Sequence, residues 1–222
     1  THLVLDIPYG EGAKVQDLSD AREMARDFKR VSDHLGIQTE CTITRGSSPV
    51  GRGIGPVLEA RDVLSVLEGE GPEDLRVKSL RLAEILLEIC GVEASPERLL
   101  DSGRALEKFR EIVEAQNGDP DVTQDDLLPG KHTFDFEADR SGYVTHIDNE
   151  LVSGVARRAG APHDKDAGIY LKAEVGDDVS HGDALFTVHA DKREKLEEAR
   201  EYAETRRPVR VGDRGESLVE RV

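Results

Sequence analysis

Apolar positions along this chain follow two rhythms, and the change from one to the other divides it. Leu3, Val4, Leu5 and Ile7 form a short apolar run that ends in glycines 10 and 12. That is the pattern of a strand entering a tight loop. Ala21, Met24, Ala25, Phe28, Val31 and Leu35 then repeat at three and four, which predicts an amphipathic helix. Asp17 or Ser19 can cap it, and Gly36 can close it. Ile37–Thr44 reads as a strand with Ile37, Thr39, Cys41 and Ile43 on one face. A glycine-rich loop from Arg45 to Gly55 follows, and Pro56 suits the first position of a helix running to Glu68. Leu75–Ile89 is a further helix, apolar on so much of its surface that burial is expected. Ser95-Pro96 starts a short helix, and Ser102 is expected to cap another whose Leu106, Phe109, Ile112 and Val113 face a core.

After Gly118 the rhythm shortens. Strands are predicted over Thr133–Ala138, Gly142–Ile147, Gly168–Ala173 and Ala184–Val188, with helices near Glu150–Ala159 and Lys192–Thr205. Strand, helix, strand, helix at the start implies a parallel sheet with helices packed on it. The fold expected is α/β. A parallel-sheet α/β domain with flanking helices covers residues 1–118, and an Asp- and Pro-rich linker covers 119–131. A small α+β domain with barrel-like strands covers 132–222.

Composition narrows the function. A hydrophobic content of 37% supports a core, and the net charge of −16 argues against a nucleic-acid groove, which needs clustered Lys and Arg. Asp plus Glu number 46 against 30 Lys plus Arg, and the acids are dispersed, the pattern of a solvated acidic shell suited to high salt. No run of about 18 apolar residues exists, so no membrane span is expected. No signal peptide is visible either, which points to the cytoplasm. Cys41 and Cys90 lie in apolar patterns without CxxC spacing and read as buried reduced thiols. The seven histidines show no ligand spacing, so neither a metal site nor a cofactor is expected.

The candidate chemistry sits in the first loop. Gly10-Glu11-Gly12-Ala13-Lys14 follows a strand and precedes a helix. Glycines let backbone N–H groups approach an anion, and a lysine adds a full positive charge. The GxxxxGK[ST] pattern is absent, and the same spacing also serves a plain tight turn. A second candidate is the loop from Ser47 to Gly55, where Arg52 could meet a phosphate or carboxylate among glycines 46, 51, 53 and 55. Those glycines equally suit helix–sheet packing. No nucleophile arrangement or general acid stands out.

Four ordered segments carry a resemblance: THLVLDIPYGEGAKV from Thr1, PVGRGIGPVLEARDVL from Pro49, SGRALEKFREIVEAQNGDP from Ser102, and the tail GYVTHID…DAGIYLK…GDDVSHGDALFTVHA. Together they resemble the thymidine phosphorylase superfamily, and within it the archaeal AMP phosphorylase branch. The resemblance implies a glycosyltransferase that cleaves a nucleotide with inorganic phosphate as co-substrate, in a full-length enzyme built of identical subunits. It also implies that the chain is a C-terminal piece, with the phosphate loop and the proton-donating aspartate upstream of Thr1. By the same resemblance Lys14 contacts nucleotide, and Gly10 and Gly12 of its loop are expected to bind substrate with it. Bacterial pyrimidine members hold a potassium ion with a glutamate and main-chain carbonyls. The matching positions here are Asp62, one methylene shorter, and the carbonyls of Val50 and Gly53.

Two other readings stay open: a thymidine or pyrimidine nucleoside phosphorylase, and a folded module without a complete cleft. The tail is also similar to a lipoyl or biotinyl carrier, at Gly142-x-Val144 and at Val175 to Leu185. Lys165 lacks the flanking residues that such carriers need, so a shared shape without the carrier chemistry is expected.

Overall fold

The computed structural model describes residues 1–213. The chain forms two compact units: Thr1–Ser47 with Val63–Val122, and Ser48–Asp62 with Thr123 onward. The sequence pattern divides the chain once. In the structure, residues 48–62 instead group with the second unit, because the short strand within them pairs there.

In the first unit, β1 (His2–Tyr9), α1 (Leu18–His34) and β2 (Gln38–Arg45) make a strand–helix–strand crossover. β1 and β2 pair in parallel from His2↔Gln38 through to Tyr9↔Arg45. Gly36 closes α1 at a φ of +68°, and the N–H of Ile37 donates to Ser32 O at 2.9 Å, a Schellman end. Asp17 stands at the N-cap without a side-chain hydrogen bond. Ile7, Val15 and Ala21 are buried, with Leu5, Tyr9, Ala25, Cys41 and Ile43 packed on them. Small residues of α1 therefore face the sheet, while Met24, Phe28, Val31 and Leu35 stay exposed.

Helices α2 (Pro56–Leu67), α3 (Glu73–Ile89), α4 (Pro96–Asp101) and α5 (Arg104–Ala115) follow. The expected burial of Leu75–Ile89 is not met: α3 has no buried residue, and Val77 and Leu86 are exposed. Its apolar side instead lines a cavity of about 360 Å³ with Val66, Leu75, Leu87 and Leu100 among its walls. Ser95 caps α4, accepting the N–H of Arg98 at 3.2 Å. Ser102 does not cap α5. It ends α4, and Gly103 at a φ of +79° takes the cap position, because the chain must turn through the left-handed region there. No residue of α5 is buried, and Ile112 is exposed. Both thiols are free, but neither is buried: Cys41 is half-buried and Cys90, just past α3, is exposed.

The second unit carries the main core. β3 (Gly53–Ile54), β4 (His132–Glu137), β5 (Gly142–Ile147), α6 (Asn149–Ala159), β6 (Gly168–Leu171), β7 (Asp178–Val179), β8 (Ala184–Ala190), α7 (Arg193–Arg206) and β9 (Val209–Gly212) complete the chain order. Two open antiparallel sheets result, in the orders β3-β6-β8-β4 and β7-β5-β9. Among the described residues these strands form separate sheets and no closed barrel. α6 and α7 supply Val152, Val155, Leu196 and Ala199 to the core, and Phe136 stacks on Phe186 with centroids 4.8 Å apart. Asp148 caps α6, accepting the N–H of Leu151 at 3.0 Å. The sequence pattern misses β3, β7 and β9, which are two to four residues long and too short to show alternation.

Candidate functional site

Gly10, Gly12 and Lys14 lie together at the carboxyl end of β1. The loop turns tightly: Gly10 donates its N–H to Val15 O at 3.0 Å, and Ala13 donates to Gly10 O at 3.0 Å. Gly10 and Gly12 have φ of +130° and +78°, values a side chain would strain. A Cβ on Gly10 would stand 3.3 Å from Ser47 Cβ, so the loop packs on the residues that leave β2. Lys14 is exposed and makes no hydrogen bond or ion pair with any described residue. Its charge is available to an anion.

Arg52 belongs to the second unit, apart from the Lys14 loop in the chain's division. Its Nη2 pairs with Glu174, and its Nη1 is buried without an acceptor among the described residues. An anion reaching this guanidinium would have to displace Glu174. The loop around it is held by two carboxylates of α2. Asp62 is buried, and its Oδ2 accepts the N–H of Arg52 at 2.6 Å and of Gly53 at 2.7 Å. Glu59 accepts the N–H of Gly55 at 2.9 Å. The glycines are steric necessities here: a Cβ on Gly53 would stand 2.4 Å from Leu58 O, and one on Gly55 2.4 Å from Ala167 O.

Asp62, the position matched above to the potassium-holding glutamate, thus has one carboxylate oxygen, Oδ2, engaged by two backbone N–H donors.

A constellation the sequence pattern did not mark lies on the other face of the parallel pair. Lys78 of α3 contacts Asp6 Oδ2 at 2.7 Å, and Thr44 and Thr42 donate to Asp6 Oδ1 at 2.8 and 3.2 Å. Burial pushes the Asp6 carboxyl up, but the bonds from Lys78 and Thr44, the Lys78 charge and the Thr42 hydroxyl outweigh it. The carboxyl is held below its usual range. Asp6 in an apolar strand was the available signal; its partner on a distant helix was not visible.

Residues 143–209 match the pyrimidine nucleoside phosphorylase C-terminal domain. The AMP phosphorylase of Natronomonas pharaonis is 56% identical over 227 residues, covering 100% of this chain and 45% of that protein. The AMP phosphorylases of Thermococcus kodakarensis and Methanococcoides burtonii are 44% and 43% identical over 217 residues, each covering 95% of this chain and 43% of the relative. The chain thus spans less than half the length of these curated relatives. No helix among the described residues is long and apolar enough to cross a membrane. From end to end the chain is similar to a C-terminal portion of AMP phosphorylase, and its residues 143–209 are similar to the C-terminal domain of the pyrimidine nucleoside phosphorylases.

Proposed function

We propose that this chain is the C-terminal portion of a phosphorylase that converts AMP and inorganic phosphate to adenine and ribose 1,5-bisphosphate. The observation that carries the reading is the similarity to AMP phosphorylase over the whole chain, with Lys14 of the Gly10–Lys14 loop exposed and its ammonium unpaired among the described residues. In phosphorolysis the glycosidic bond breaks as positive charge grows on the sugar and negative charge on the leaving base. An acid must protonate the base, and cations must hold the attacking phosphate at the anomeric carbon. In this reading both come from the part of the relatives' length that the chain does not span. The part supplied here is the nucleotide contact: Lys14 pairs with the 5′-phosphate, and Gly10 and Gly12 let the loop backbone approach it. No metal or organic cofactor enters this chemistry, and the enzyme acts in the cytoplasm as an oligomer of identical subunits.

The name of the matched C-terminal domain favours a second reading, a pyrimidine nucleoside phosphorylase. A substrate panel on the native enzyme separates the two. Phosphate-dependent release of adenine from AMP, well above release of thymine or uracil from their nucleosides, is the expected result. Preference for the pyrimidine nucleosides would overturn the AMP reading. The isolated 222 residues should fold yet release no adenine.

A further inference from the structure

We propose that Arg45 is a second cation for the substrate's 5′-phosphate, closing with Lys14 a two-armed clamp over the Gly10–Lys14 loop; this rests on the nucleotide phosphorylase reading above. β1 and β2 run parallel, and Tyr9 is in register with Arg45, so both strands release their chains at the same edge. In open α/β sheets, ligands gather outside the carboxyl ends of the strands.

The two loops leaving that edge are interlocked. Gly46 donates its N–H to Tyr9 O at 2.7 Å. A Cβ on Gly46 would stand 2.9 Å from Pro8 Cβ and 3.3 Å from Ala13 Cβ, so only glycine lets the loops meet this closely. Ala13 precedes Lys14, and Arg45 precedes Gly46. The contact at Ala13 and Gly46 therefore sets the two cations on adjoining backbone.

Neither cation is already satisfied. Arg45 and Lys14 are both exposed, and neither side chain makes a hydrogen bond or ion pair with a described residue. In a chain with 46 acidic against 30 basic side chains, two unpaired cations on adjoining loops are a poor match to random surface charge. Lys78, by contrast, is committed to Asp6. Glu11, exposed in the same loop, opposes the pair, so the second cation is what leaves the edge net positive. A phosphate monoester fits this edge: the planar guanidinium takes two of its oxygens and the ammonium a third.

The test is equilibrium binding of AMP, adenosine and inorganic phosphate to the native enzyme, with kcat/KM on AMP alongside. Arg45→Ala should weaken AMP about 10- to 100-fold, the range of one charge-assisted contact, and leave adenosine and inorganic phosphate within about threefold. Arg45→Lys should recover part of the loss. Two arms on one phosphate are coupled, so Lys14→Ala with Arg45→Ala should lose less than the product of the single losses. Equal weakening of AMP and adenosine, or weakening of inorganic phosphate, would overturn the assignment, as would an Arg45→Ala enzyme that binds AMP like wild type. A wild type active on AMP with Arg45→Ala unchanged sinks the clamp alone. A wild type inactive on AMP sinks the phosphorylase reading and the clamp with it.

Discussion

Lys78 Nζ lies 2.7 Å from Asp6 Oδ2 and so ties α3 to β1 in the first unit. The pair is partly shielded, with 26% and 19% of the two side chains exposed, and Thr44 bonds to both partners. Removing the lysine leaves a half-buried carboxylate with hydroxyl donors only. Lys78→Met should therefore cost about 1–3 kcal/mol near neutral pH, read from urea unfolding of the chain. The Asp6 carboxyl is held below its ordinary value of 3.8, so its contribution is complete above that value and is lost as pH falls through the lowered folded value. The penalty of Lys78→Met should shrink at acid pH. The same penalty at neutral and strongly acid pH would refute the electrostatic account.

This pair also marks the limit of what could be read from the sequence. Periodicity located α1, α2 and α6 within a residue or three, because each has caps or a proline at its start and a clear apolar stripe. The glycine loop and Lys14 were legible because they interrupt an apolar run. The pairing of Lys78 with Asp6 was not, since a contact across 72 positions leaves no periodic trace. The exposure of α3 and α5 is hidden from the sequence for a related reason. An apolar stripe says that a helix has something to bury but not whether the described residues include the partner. The role of Asp62 was hidden because its acceptors are satisfied by main-chain N–H groups, and those carry no side-chain signature.

Asp62 offers the second test. Its Oδ2 serves the N–H groups of Arg52 and Gly53, and Gly53 is buried. Asp62→Ala should cost about 1–3 kcal/mol for each N–H left without an acceptor, and Asp62→Asn less, because the amide oxygen can still accept. The melting temperature of the wild-type chain should be the same in KCl and in NaCl at equal ionic strength. A melting temperature that rises in potassium alone, and loses that rise in Asp62→Asn, would place the ion in this loop.

Gly168 provides a steric prediction in the second unit. It opens β6, one residue before Ile169, the register partner of Ile54 in β3, and a Cβ there would stand 2.2 Å from Ile54 O at a φ of +159°. No rotation of a flexible side chain relieves a clash with a backbone oxygen. Gly168→Ala should force β3 off β6 and destabilise the chain by about 1–3 kcal/mol. Gly182→Ala is the control, since its Cβ would meet nothing within 4 Å and only the φ of +89° is strained. Losses that are equal in the two variants would mean that backbone conformation, not the approach of β3, decides the site.

His189 makes the stability of the second unit sensitive to mildly acid pH. It lies in β8, in register with Gly168 and Thr133, and its Nδ1 is 3.3 Å from Gly130 O. Burial pushes its pKa below the ordinary imidazole value of 6.5, the bond to Gly130 pulls it back up, and the Lys172 charge pushes it further down. The folded ring is therefore neutral where the unfolded ring begins to take a proton. Its contribution is complete above about pH 6.5 and is lost as pH falls from there through the lowered folded value, because the unfolded chain then binds more protons. Melting of the wild-type chain should fall between pH 7.5 and 5.5, in a window around that 6.5. His189→Gln keeps a hydrogen-bonding side chain of similar size without the titration, so its melting curve should flatten over the same interval. The other six histidines are common to both proteins, and the difference between the two profiles isolates this ring. Parallel profiles would show that His189 titrates alike in the folded and unfolded chain and that its burial does not govern the acid response.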